Sequence, residues 1–213
     1  MSATSYTKAL IPTPYTIMGL DLKPFCIGHV LLMQHFNCSF GADEAIKVNV
    51  NQLVQDFLWG LVICSMTFEE FYNACQTNTL EVYYSKDFAV KRIKFTDWIK
   101  NWRKAILKAV HEKNANLLTR LAAFNEYIRE AMEVPMFFQE SEGTPKNSGS
   151  HWTLTILNVL TGELGYSQSE ALNMPLAQAY QVYLKFCERN GLITIATQRE
   201  QEEAKRLEAA ANG

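Results

Sequence analysis

The run "FLWGLVICSM" at 57–66 holds no charged residue. It is about half the length that spans a bilayer. Read as a helix, it is apolar nearly all round, and such a helix has to be enclosed by other protein elements. The same periodicity reaches back to Asn51: Leu53, Val54, Phe57, Leu58, Leu61 and Val62 recur at helical spacing, so a helix is predicted over 51–65. The chain must therefore build its remaining elements around this segment. With 213 residues, 48% hydrophobic and 20% charged, it has the length to bury such a core without staples.

Those other elements read mostly as helices. One is expected to open at Pro24, run to about Phe36 and stop near "NCSFG", with Gly41 as the breaker. "TFEE" at 67–70 has capping-box spacing, so a helix starts there and ends by Asn78. Further on, Trp98, Trp102, Ile106 and Ala109 share one face of a helix beginning near Thr96, which reads the tryptophans as core. A helix over 114–133 carries the stripe Leu117, Leu118, Leu121, Phe124 and Ile128 and is ended by Pro135. "LEVYYSKDFAVKRIKF" at 80–95 alternates enough for a hairpin turning at 85–87, the competing reading being a helical or irregular connection. The first fifteen residues look extended.

After the polar stretch "QESEGTPKNSGS", Trp152, Ile156, Leu157 and Leu160 predict a helix ending at Gly162. "SQSE" at 167–170 repeats the capping box, and Pro175–Asn190 forms a strong helix stopped by Gly191. The expected fold is mainly α, an irregular helical bundle with one small β-hairpin near 80–95. Its expected organisation is a body at 1–138 carrying a basic segment at 86–113, a linker at 139–150, a C-terminal helical unit at 151–191, and a charged helical or frayed tail at 192–213.

The start, "MSATSYTKALIPTPYTIMG", lacks a basic stretch followed by a sustained apolar core, so no signal peptide is expected. Five cysteines, an odd count set mostly within apolar runs, fit free and buried thiols in a reducing compartment. No membrane association is expected.

Four soft residues raise the question of a metal. Cys26, His29, His35 and Cys38 lie within "CIGHVLLMQHFNC". On one helix at about 100° per residue they point to different sides, whereas tetrahedral zinc needs four converging ligands. They are weak metal candidates, and the favoured reading is a buried thiol and a hydrogen-bonded helix histidine. Other chemistry is thin. No Gly-rich phosphate loop or second histidine for "HEKNA" is present, and Ser150 beside His151 lacks the nucleophile elbow. Cys64 lies in the most apolar helix, where burial blunts a thiol. No catalytic residue and no cofactor are expected, and the chain reads as not an enzyme.

Charge is segregated. Residues 86–113 hold nine Lys/Arg against three acids, while the whole chain is at −2. Lys91, Arg92, Lys94, Lys100, Arg103, Lys104 and Lys108 are the candidate contacts to a partner or to nucleic acid, with Phe95, Trp98 and Trp102 interleaved. The net negative chain weighs against nucleic acid and toward an acidic partner.

Two stretches carry a resemblance. In 17–40, Gly19, Leu22, Pro24, Phe25, Gly28, His29, Leu31 and Leu32 match a "G-x-x-L-x-P-F-x-x-G-H-x-L-L-L" pattern at the start of prophage proteins. "LTGELGYSQSEALNMPLAQA" at 160–179 resembles a "G-Y-S-x-x-E-A-L-x-M" segment near the C-terminus of small tailed-phage proteins, tail assembly chaperones among them. The resemblance covers about a fifth of the chain and transfers no functional residue. It implies a non-enzymatic helical protein of the bacterial cytoplasm, or of the virion, that binds tape-measure or tail-tube proteins. The alternative is a nucleic-acid-binding module using 86–113.

Overall fold

The computed structural model describes residues 12–41, 50–84, 89–111, 117–133, 137–139 and 151–211. Helices take 68% of them, and the strands form three small antiparallel two-stranded sheets. The fold is therefore mainly α with small hairpins, as the periodicity indicated. The chain divides into two units, one spanning Thr13–Glu130 and the other built from Ala131 onward. Residues 140–150 of the expected linker lie outside the described residues.

The first unit opens with a hairpin the sequence did not announce, β1 (Tyr15–Ile17) against β2 (Leu20–Leu22). Its two turn residues, Met18 and Gly19, both have positive φ, at 55° and 77°. That is the primed turn matching strand twist, but Met stands where Asn or Asp usually signals it. Thr16 donates from Oγ1 to Asp21 Oδ1 at 2.7 Å across the pair.

Helix α1 spans Ile27–His35 and not 24–36, because Cys26 is its extended N-cap, at φ −130° and ψ 170°. Pro24 therefore precedes the helix. It ends in a Schellman motif: Cys38 N–H donates to Met33 O at 2.8 Å and Asn37 N–H to Gln34 O at 3.0 Å. Asn37, at φ 50°, is the left-handed residue, and Gly41 belongs to a following 3₁₀ turn, Ser39–Gly41.

The apolar run forms α2 (Val50–Cys64), and Phe57, Leu61, Val62, Ile63 and Cys64 are buried. Gly60 lets the ring of Phe124 approach: a Cβ there would stand 2.7 Å from Phe124 Cζ. Helix α3 (Phe68–Thr77) starts at the expected capping box, with Glu70 N–H donating to Thr67 Oγ1 and Thr67 N–H to Glu70 Oε2. The hairpin expected at 80–95 forms from β3 (Thr79–Tyr84) and β4 (Ala89–Lys94), and its turn, 85–88, lies outside the described residues.

Helix α4 (Phe95–His111) follows β4 without a break. Asn78 makes this corner. It ends α3 in the left-handed conformation, and its Oδ1 accepts from Thr96 N–H at 3.1 Å. Helix α5 (Leu117–Ala131) buries Phe124, Tyr127 and Ile128, whereas Leu118 of the expected stripe is 77% exposed.

The second unit contains β5 (Phe137–Gln139) paired with β6 (Ile193–Ile195), neither of them foreseen. Helix α6 (Trp152–Asn158) widens into a π turn at Val159–Glu163, and the residue with positive φ beyond it is Gly165 and not Gly162. Ser167 and Glu170 cap α7 (Gln168–Asn173) as their spacing indicated. Helix α8 (Leu176–Arg189) closes at Gly191, where Leu192 N–H donates to Cys187 O at 3.0 Å. The tail forms α9 (Gln198–Ala211), opened by a third capping box of Thr197 and Glu200. Leu184, Cys187 and Ile193 are the centre of one core cluster of this unit, flanked by Tyr183, Phe186 and Ile195.

Candidate functional site

The Cys/His stretch does not assemble a metal centre. Among the described residues no three His, Cys, Asp or Glu side chains are grouped to hold an ion. His29 is buried, and its Nδ1 accepts from Cys26 N–H at 3.3 Å. With Nδ1 accepting, Nε2 carries the proton and donates to Met66 O at 2.8 Å. Burial pushes its pKa down from 6.5 to about 4, opposed by the bond to Met66. His29 thus braces the start of α1 against the end of α2. Cys38 donates from Sγ to Asp56 O, and exposed His35 packs edge-on against Phe36.

The remaining candidates for reactivity are equally occupied. Burial raises the Cys26 and Cys38 thiols to about 12 and lifts Cys64 well above the usual thiol range. Such thiols are poor nucleophiles. Of the five cysteines only Cys75 is exposed, against the expectation that all are buried. His151 caps α6, its Nδ1 accepting from Thr153 N–H, and Ser150 lies outside the described residues.

Asp56 went unrecognised in the sequence. It is 3% exposed, and its carboxylate accepts from Ser39 N–H at 3.0 Å and Gln52 Nε2 at 2.6 Å. It ties the 3₁₀ turn to α2. Asp56 falls outside the uncharged run of 57–66, and nothing in its sequence neighbours identifies Ser39 as a partner.

The basic segment gives a different picture. Arg92 is committed to Glu81 across the hairpin at 2.9 Å. Lys94 is exposed at the end of β4, and the side chains of Lys91 and Lys108 lie outside the described residues. Lys100, Arg103 and Lys104 are exposed on α4, and among the described residues no ion pair neutralises them.

Beside these cations lies a cleft between α2 and α4. Gln55, Leu58, Trp59 and Val62 form one wall, the i, i+3, i+4, i+7 stripe of α2. Ile99, Trp102 and Arg103 form the other, one face of α4. Trp98 and Trp102 are half-buried and stack at 6.1 Å and 8°; Trp102 stands on the wall of the cleft, and neither ring is in the closed core read from their spacing. Phe95 and Phe71 continue this aromatic row inward: Phe95 stacks on Trp98 and meets Phe71 edge-on. On the other wall Trp59 stacks on Phe36 at 5.2 Å and 6°. Rings fixed in this way present flat apolar surface that loses little side-chain freedom when covered.

The first familiar stretch has structural duties here. Gly19 makes the turn, Leu22, Phe25, Gly28 and Leu32 are buried, and His29 is the brace. No described helix is long and apolar enough to cross a membrane. Comparison with protein-family models, curated proteins and solved structures gives no match, so a reading of function rests on the geometry of this chain and on the two familiar stretches.

Proposed function

We propose that this protein acts by binding another protein chain and not by catalysis, as an assembly factor of the tail-assembly-chaperone kind. Its partners on this reading are tape-measure or tail-tube subunits, met in the bacterial cytoplasm. The observation that carries protein binding is the half-open cleft with Trp59 and Trp102 on opposite walls and Arg103 at its edge. Large aromatic and arginine side chains around an apolar groove are the usual anchors of protein interfaces. The resemblance of 17–40 and 160–179 to prophage and tailed-phage proteins supplies the choice of partner.

The test is affinity purification from the native host after prophage induction, followed by mass spectrometry. Stoichiometric tape-measure or tail-tube protein is the expected result; recovery of the protein alone sinks the reading. A second reading, nucleic-acid binding by the basic segment, is favoured by one observation: the stacked Trp98–Trp102 pair beside Lys100, Arg103 and Lys104. It requires co-purifying nucleic acid that is lost steeply as salt rises.

A further inference from the structure

We infer that the cleft between α2 and α4 receives an acidic amphipathic helix of the partner. This inference rests on the protein-binding reading and specifies its chemistry. The two walls are single faces of two helices, the 55-58-59-62 stripe of α2 and the 99-102-103 stripe of α4. A groove between two helices is the shape that a third helix fills, laying anchors at i, i+3, i+4 and i+7 along it. The floor is apolar: Leu58 and Val62 are buried, and Trp59, Ile99 and Trp102 are half-buried. An occupant must therefore bring an apolar stripe.

The edge decides its charge. Arg103 lines the cleft, and Lys100 and Lys104 are exposed beside it on α4. The one acid among the described residues of α4, Asp97, lies in its first turn. Covering the cleft removes water from Arg103, and a buried guanidinium left without a carboxylate is costly. Glu or Asp beside the apolar stripe meets that need with charge-assisted hydrogen bonds. A phosphate backbone would engage the cations but leave Leu58, Val62 and Ile99 uncovered, so the apolar floor favours protein over nucleic acid.

The experiment titrates the full chain with a tryptophan-free synthetic helix of about 20 residues, Leu on one face and Glu elsewhere, following the emission of the protein's tryptophans. Its control carries Lys in place of Glu, and an oligo-dT single strand is a third probe. The Glu peptide should bind and shift the emission, the Lys peptide should not, and Arg103→Glu with Lys104→Glu should weaken binding at least about tenfold. Equal binding of both peptides, indifference to the charge reversal, or tighter binding of oligo-dT overturns the inference. Both reversed residues are exposed, so the variant keeps its core. Should tail proteins co-purify equally with wild type and reversed variant, the proposed function survives and this inference falls. Should the Glu peptide bind through Arg103 and Lys104 while no tail protein co-purifies, the inference stands and the tail reading falls.

Discussion

Two residues decide how the core of the first unit closes, and each gives a measurable consequence. His29 is neutral when folded, since burial lowers its pKa from 6.5 to about 4. Between those values the unfolded chain binds the proton and the folded chain does not, so stability rises with pH there. The contribution is complete above about pH 6.5 and is lost as pH falls toward 4, a difference of about 3 kcal/mol. Urea midpoints measured across that range should fall with pH for the wild type. His29→Gln keeps an acceptor for Cys26 N–H and a donor for Met66 O but cannot titrate, so its profile should be flatter; parallel profiles would refute this role. Gly60 acts by size. A methyl group there meets the Phe124 ring at 2.7 Å, and overpacking a filled core costs about 1–3 kcal/mol. Gly60→Ala should lower the denaturation midpoint, and Phe124→Leu in the same chain should recover part of the loss. A sum of the two single effects with no coupling would show that they do not meet. Gly60 was readable only as a weak spot in a helix, because the ring that excludes a methyl group comes from α5.

At the scale of elements, legibility followed the range of the interaction. The boxes at Thr67–Glu70 and Ser167–Glu170 lie within one turn, and both formed where the sequence placed them. The same local pattern stands in "TQRE" at Thr197–Glu200, inside a tail whose charge and lack of an apolar face obscure it. At α1 the cap is equally local, His29 Nδ1 accepting from Cys26 N–H, but a Cys–His pair is not the residue chemistry that marks a helix start. Sheet β5–β6 was invisible because its strands, at 137–139 and 193–195, lie far apart in the chain. The cleft was half legible: Leu58, Val62 and Trp102 were read as core and Arg103 as a candidate contact, and only the packing of α2 and α4 brings them to one cleft. Asn78 joins these elements, ending α3 and capping α4 through Thr96 N–H. Asn78→Ala loses the tolerance for left-handed backbone and the cap together, a cost of about 1–2 kcal/mol. Asn78→Gly loses only the cap and should cost less. Thermal melts of the two variants check the order, and a glycine variant no better than alanine would remove the left-handed residue from the account.

The whole molecule is two units, and in the first the described buried polar side chains, Ser39 Oγ excepted, find their partners within the unit. Within 13–130, Tyr127 OH donates to Lys23 O at 2.7 Å, His29 meets Cys26 and Met66, and Asp56 meets Ser39 and Gln52. The rings of Phe40, Phe57 and Tyr127 all pack on Phe124 within the same span. A segment in which Tyr127, His29 and Asp56 are partnered this way and the core rings pack on one another carries the requirements of a cooperative fold, and its length is in the range of single domains. The fragment 13–130 should therefore express as a folded protein, melt in one transition, and keep near-native helical circular dichroism. It also contains both walls of the cleft, so it should bind the Glu peptide about as tightly as the full chain. A fragment that melts without cooperativity would mean that the second unit supplies part of its stability. A fragment that folds but does not bind would move the binding surface away from α2 and α4.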